Sequence, residues 1–485
     1  MSLLNKSASG FLWQMLSITI QALTSIGFMA VISRLLSKEA FGNFALASVV
    51  VGYFAMLSEF GFSSAIVQKK EVKDEDVRFA WTMNILVALL LFLLLVVFSN
   101  QICGFFDFKF SRLFLIALSI QLLFNAIAST SRSLLIREMN FKKLFFAQAV
   151  PHFIGYVVIG LFMGYNGQEE WSLLTAVVTT SFLIMILTVL FKPLKMSFKG
   201  FNFSESTFVF KYGFSLTKLR LVNQTANHGD KLIIGKLFTA SELGVYERFM
   251  KVIVLPELYI GRVSDSVLFS LFSRTQTDLV KLNTVFFSTL RIVSIVVFVI
   301  SFYFFNYSEI FIHVILGENW LSYGELFRAM AFLLFVQVYA RFSDILVRAK
   351  SEMKRSFKIK LIYLLLHLTV LYLLYPYGIK VMVYGSLVVK SINGIMMLIL
   401  CSKIVKMRSV ETFLELSNVI VVAVSFSIIH WILGYANLSD IMQLAISLIF
   451  NFSTLMLLII KTNWIVRAND KYLLFSVYKD LSDKK

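Results

Sequence analysis

Six polar side chains stand within nine positions of an otherwise apolar chain: Asn223, Gln224, Asn227, His228, Asp230 and Lys231. Arg220 precedes them by about one helical turn. On a helical wheel at about 100° per residue, Arg220, Asn223, Gln224, Asn227 and Lys231 fall within about 60° of one line. His228 and Asp230 flank that line on opposite sides, and Ala226, Gly229, Leu232 and Ile233 lie elsewhere. Arginine offers a planar fork and lysine a point charge, and both suit an anionic group. The amides of Asn and Gln can donate and accept towards hydroxyls. Asp230 and His228 can exchange a proton. Such a stripe is suited to reversible binding and to titration.

The elements that must carry this stripe are membrane helices. The chain has 485 residues, of which 58% are hydrophobic and 15% charged, and its mean hydropathy is +0.80. A soluble chain carries about a quarter charged residues. Apolar runs such as 79–98 and 361–375 recur from end to end and approach or reach the roughly 20 residues that cross a bilayer. Barrel strands are about 10 residues long and alternate, so a transmembrane barrel is excluded. The sequence predicts an all-α polytopic protein with about fourteen spans. They lie near 11–33, 41–66, 79–102, 112–134, 145–165, 171–191, 210–235, 241–268, 284–306, 325–347, 359–377, 380–402, 414–434 and 440–462.

The net charge of +18 follows from loop composition and does not point to nucleic acid. With the N-terminus inside, about 30 of the 46 Lys and Arg fall in cytoplasmic loops and the C-terminal tail, as the positive-inside bias requires. The outside loops hold about six: Arg34, Lys38, Lys109, Arg112, Lys236 and Lys380. Both termini are therefore expected in the cytoplasm. The first apolar stretch lacks a small-residue cleavage site and is expected to remain as a helix. Cys103 and Cys401 fall near opposite faces in this topology and are not expected to pair. The five histidines are scattered, and no zinc spacing, dinucleotide fingerprint or P-loop occurs. No cofactor and no metal are expected.

The segment "ISRLLSKEAFGNF" at 32–44 resembles "IIGKLFTASELGVY" at 233–246. Pairing Arg34 with Lys236 and Gly42 with Gly244 gives one offset, 202 residues. Each stretch leads from the first into the second span of a six-span half. An even number of spans returns the second half in the same orientation, so two parallel, pseudo-symmetric lobes are expected. The expected division is an N-lobe at 1–192, a cytoplasmic linker at 193–208, a C-lobe at 209–402, two extra spans within 403–467 and a cytoplasmic tail at 468–485.

Several stretches carry a family resemblance: "GFSSAIVQKKEVKDEDVRFAWTMNI" (61–85), "SRSLLIREMNFKKL" (131–144), "NGQEEWSLL" (166–174), "NHGDKLIIGKLFTASELGVYERF" (227–249) and "LGENWLSYGELFRAMAF" (316–332). Together they resemble the polysaccharide transporter family, and within it the Wzx-type lipid-linked oligosaccharide flippases of the multidrug/oligosaccharidyl-lipid/polysaccharide exporter superfamily. The resemblance implies two six-helix lobes around a V-shaped central cavity that opens alternately to each side. It implies a non-enzymatic transporter in the bacterial inner membrane, moving an undecaprenyl-diphosphate-linked oligosaccharide to the outer leaflet. The cargo would serve O-antigen, capsule or exopolysaccharide synthesis, with a polymerase and a chain-length regulator as partners.

Within that frame the polar stripe of span seven reads as cavity wall, because a charge at bilayer depth must face protein or water. Arg220 and Lys231 would meet the diphosphate or an acidic sugar, and Asn223, Gln224 and Asn227 the sugar hydroxyls. Across the repeat, Asn223 meets Gln21 and Asn227 meets Ser25, while Arg220 meets Ile18 and Lys231 meets Met29. Gln21 and Ser25 are thus the uncharged counterparts on span one. Span ten adds Gln337, Arg341, Asp344 and Arg348, and Arg341 joins the candidate cavity residues. Span eight carries Glu247, Arg248, Lys251, Glu257, Arg262 and Asp265. Arg291, Arg328 and Lys390 also fall inside predicted spans. Asp230, Glu59 and His228, in that order, are the candidates for ion coupling. Arg262 with Asp265 reads as an internal pair, Arg348 and Lys218 as snorkelling cations, and His152, His367 and His430 as packed.

Other functions fit less well. A drug or cation antiporter conflicts with a cationic cavity, although a peptidoglycan-precursor flippase does not. A membrane glycosyltransferase or polymerase usually needs a sizeable outer loop, and the longest here is about 306–324. No repeated filter loop suggests a channel.

Overall fold

The computed structural model describes residues 3–58, 61–69, 71–107, 112–194, 207–275, 278–350, 352–407, 417–436 and 438–461. Fourteen long helical segments run through them: α1 Leu3–Leu35, α2 Lys38–Ser58, α3 Asp74–Val97, α4 Arg112–Arg137, α5 Phe141–Tyr165, α6 Glu169–Phe191 and α7 Thr207–Leu237 in the first part. Then follow α8 Ala240–Thr275, α9 Leu279–Asn306, α10 Gly324–Ala349, α11 Met353–Leu374, α12 Ile379–Ile404, α13 Ser417–Gly434 and α14 Asp440–Lys461. No strand occurs among the described residues. Eleven segments are long and apolar enough to cross a membrane. The other three are α7 and α8, whose charged residues lower their hydropathy, and the shorter apolar α13.

The packing divides into two compact units, 1–247 with 315–317, and 248–314 with 318–485. The division falls inside α8, so α7 groups with the helices that precede it. It packs on α2 and on the short helix Phe62–Gln68. The predicted lobe boundary near 209 follows the repeat, whereas this division follows the packing.

In the first unit, small residues let helices approach closely. Pro151 lies inside α5 and cannot donate a backbone hydrogen bond, and the helix passes into a π-helical stretch, Ile154–Gly160. A Cβ at Gly155 would run into Thr180 and the Ala176 carbonyl of α6, and one at Gly160 into Phe28 and Ala176. Ser172 donates to the Gly160 carbonyl at 2.6 Å. A buried amide ties three elements together: Asn84 donates to Ser63 at 2.8 Å and Ser129 at 3.0 Å.

The internal repeat is visible as a reciprocal contact. A Cβ on Gly42 of α2 would overlap the carbonyl of Ala240 on α8, and a Cβ on Gly244 would overlap the carbonyl of Lys38. Lys38 and Ala240 are themselves one repeat offset apart, so the contact maps onto itself, as a local two-fold relation requires. The caps correspond as well. Thr239 donates its N–H and hydroxyl to Glu242 at 3.0 and 2.8 Å, and Glu242 N–H returns to the Thr239 hydroxyl at 3.3 Å, a capping box on α8. Ser37 stands one offset earlier, where Ala40 replaces the glutamate. Glu169 of α6 takes its place, accepting the Ser37 N–H at 3.1 Å and hydroxyl at 2.7 Å.

In the second unit α10 packs against α9 and α12, and α11 against α12. Of the two additional segments, α13 docks on α9 through Ile295, Phe302, Tyr303, Tyr307, Val419, Val422 and Phe426, and α14 packs on α13. Asn451 of α14 donates to Tyr303 at 3.0 Å inside that seam. Cys103 and Cys401 are both free thiols.

Candidate functional site

The polar stripe lies on α7, and α8 returns beside it after a turn at 238–239. Residues equally far from that turn meet. Tyr246 donates its hydroxyl to the Asp230 carboxylate at 2.6 Å, where Asp230 is only 2% exposed. The neighbouring pair is ionic: Lys231 Nζ lies 2.5 Å from Glu247 Oε2, with side chains 12% and 9% exposed. Asp230 also accepts the Lys231 backbone N–H at 2.8 Å. Asp230 and Lys231 are therefore bound to partners sixteen residues on, in a helical hairpin. The signal was the equal spacing about one turn, which a single-helix wheel does not display.

The rest of the stripe is more open. Asn227 is exposed, and Arg220, Asn223, Gln224 and His228 are half-buried. Gln224 lies against Gly52 of α2. Gln21 and Ser25, the counterparts on α1, are placed differently. Gln21 donates to Ser17 at 2.8 Å, and Ser25 bonds to the Gln21 carbonyl at 2.8 Å and to His152 Nε2 at 2.9 Å. Their polar groups thus form a chain from α1 to α5. His152 also packs on Tyr156, with ring centroids 4.3 Å apart. Glu59, and the side chains of Lys218, Arg262 and Asp265, lie outside the described residues.

The second unit has its own intramembrane charges, and they too are paired. Arg341 of α10 meets Glu257 of α8 at 3.4 Å. Asp344 meets Lys360 of α11 at 2.6 Å and accepts from Ser356 at 3.1 Å. Arg348 is exposed and donates to the Asp344 carbonyl at 3.4 Å. Arg328 joins an outer network with Glu309 at 3.1 Å, Glu325 at 3.0 Å and Ser308 at 3.0 Å, and Lys380 meets Glu325 at 3.1 Å. His367 bonds Ser386 at 2.9 Å and His430 bonds Tyr307 at 3.3 Å, as packed histidines do.

In the first unit Arg220 and Asn227 keep part of their side chains exposed, and Asp230 is a carboxylate held by Tyr246. In the second unit Arg341 is part-exposed, and Glu257 is a carboxylate held by it. Among the described residues, no group of three or more His, Cys, Asp or Glu converges as a metal site would.

The sequence profile described as "Polysaccharide biosynthesis protein" matches residues 31–325. A Klebsiella pneumoniae protein named as an uncharacterized membrane protein in the cps region is 25% identical over 406 residues, covering 82% of each chain. The lipopolysaccharide biosynthesis protein WzxC of Escherichia coli (strain K12) is 22% identical over 363 residues, covering 74% of this chain and 73% of its own. Among solved structures, the lipid II flippase MurJ in an inward closed conformation superposes with a TM-score of 0.71, covering 93% of this chain and 100% of that one at 16% identity. That likeness establishes the fold.

Proposed function

The chain belongs to the polysaccharide biosynthesis protein family, and on that premise we propose that it flips undecaprenyl-diphosphate-linked oligosaccharide repeat units from the inner to the outer leaflet of a bacterial inner membrane. It does so by alternating access, with both termini in the cytoplasm, and supplies a polysaccharide polymerase and its chain-length regulator. The observation that supports the reading is the cationic charge carried on long helices of the bundle. Arg220, Lys231, Arg341 and Lys390 all sit on such helices, and a charge within a membrane helix is costly unless it serves a polar or charged cargo or pairs. A diphosphate headgroup has to cross the bilayer, and cationic and amide groups lower the cost.

In this reading the cargo contacts Arg220, Asn223, Gln224 and Asn227 on α7, and Arg341 on α10 is a separate cargo contact within the second unit. Lys231 acts through Glu247 and shapes the wall, and Gln21 with Ser25 lines the milder face. Coupling to a proton or sodium gradient is assigned to Asp230 first, then Glu59, then His228. A coupled ion must favour one facing state over another. The Asp230–Tyr246 bond joins α7 to α8 and so can differ between states. The nearest competing cargo is a peptidoglycan precursor.

Deletion in the native host separates these. The proposal predicts that the membrane accumulates lipid-linked repeat units and loses the surface polymer, while cell-wall synthesis continues. Normal surface polymer after deletion, or arrested peptidoglycan synthesis, contradicts it.

A further inference from the structure

The ion pair between Glu257 and Arg341 differs from the others inside the helices. Lys231–Glu247 closes to 2.5 Å and Lys360–Asp344 to 2.6 Å. Charge-assisted nitrogen–oxygen contacts normally lie at about 2.7–2.9 Å. Glu257 meets Arg341 at Nη1, at 3.4 Å. It is the loosest of the three, and its arginine is the most open, with 27% of the side chain exposed.

The backbone around it is built for that arginine. Gly261 stands one turn after Glu257 on α8, and a Cβ there would run into the Arg341 guanidinium. Glycine therefore lets the guanidinium lie against the helix. Pro256, immediately before Glu257, removes a backbone hydrogen bond from the same turn. A third helix contributes Lys390 of α12, whose charge also acts on the Glu257 carboxylate. The Glu257 carboxylate thus meets one cation, from α10, and feels the charge of a second on α12.

We propose that Glu257 stands in for the cargo's anionic group. Its carboxylate holds Arg341 at 3.4 Å. An arriving phosphate or sugar carboxylate displaces it and engages the guanidinium through two oxygens. When the cargo leaves, Glu257 returns to Arg341. The site takes an anion and competes with it, which favours release. No covalent bond changes. The inference rests on the transport reading and adds Glu257 to its anion subsite.

The test uses the full-length protein in detergent and two probes, farnesyl diphosphate for the carrier lipid's headgroup and a glucuronic-acid-containing disaccharide for an acidic sugar. Glu257→Gln keeps the shape and removes the charge, so it should bind one probe about tenfold tighter. The probe that gains identifies which part of the cargo the subsite reads. Arg341→Gln should weaken binding of the same probe. Unchanged or weaker binding of both probes by Glu257→Gln overturns the proposal. A second measurement needs no variant. In the wild-type protein, a saturating probe should raise carbodiimide labelling of Glu257, read by mass spectrometry, because the carboxylate is released from Arg341. Unchanged or reduced labelling overturns the proposal equally. Failure of the transport reading shows separately, as absence of flipping by the wild-type protein in vesicles.

Discussion

Each intramembrane charge must be judged by its partner. Lys231 and Glu247 are both nearly buried and meet each other, so replacing either alone strands a charge. Lys231→Met or Glu247→Met should cost about 3 kcal/mol of stability. The double replacement should recover most of it, read by thermal unfolding in detergent. Equal losses in the single and double variants would contradict the pairing. Arg220 and Asn227 are more open, and their replacement should act on transport instead. Arg220→Gln with Asn227→Ala should lower the flipping rate about tenfold or more while the unfolding temperature holds. Full transport by that double variant would remove the stripe from the binding site. The stripe itself was legible, because polarity at helical spacing in an apolar run is unusual. The partners were not, since a wheel treats one helix at a time. Tyr246 and Glu247 emerge only when α7 and α8 are folded about 238–239. Gln21 and Ser25 show the converse, because repeat alignment gives an equivalent position and does not say that their hydrogen bonds run to His152 on α5.

At the scale of elements, the helices were readable because hydropathy and length decide them, and the short repeat was readable from two glycines and a cation. What those glycines do was not. An exposed helical glycine replaced by alanine gains about 1 kcal/mol. Here Gly42 and Gly244 each face a backbone carbonyl across the α2–α8 contact, so the sign reverses. Gly42→Ala and Gly244→Ala should each destabilise by about 1–3 kcal/mol, measured by unfolding temperature. A gain at either position would contradict the reciprocal contact. Several stretches that carry the family resemblance prove to be devices of the same kind. Arg137 donates to the carbonyls of Ile66 at 2.9 Å and Lys69 at 2.5 Å, closing the end of the helix Phe62–Gln68. Lys69 meets the buried Asp76 at 2.7 Å. Glu169 and Glu170 bind Ser37 and Asn43 at the start of α2. Motif density thus marks joints as much as binding surfaces, and the intervening geometry distinguishes the two.

At the scale of the whole molecule, the basic-loop asymmetry predicts an orientation that can be tested directly. With Cys103 and Cys401 replaced, Gln168→Cys should react with an impermeant maleimide from outside, and Lys354→Cys only after permeabilisation. Labelling of both from the same side would contradict fourteen spans with cytoplasmic ends. The coupling assignment belongs to this scale too. Asp230→Asn should abolish any acceleration by an imposed proton or sodium gradient while leaving gradient-free equilibration intact. Retained acceleration would move the role away from Asp230. The central claim is that this chain carries a lipid-linked anionic sugar across a bilayer. The most direct test reconstitutes the purified protein in vesicles holding a fluorescent undecaprenyl-diphosphate oligosaccharide, and follows its arrival at the opposite leaflet by loss of fluorescence to an impermeant quencher. The account predicts transfer that depends on the protein and falls in the Arg220→Gln/Asn227→Ala variant, with a neutral undecaprenol glycoside left behind. Transfer no faster than in protein-free vesicles, or equal transfer of the neutral lipid, would contradict it.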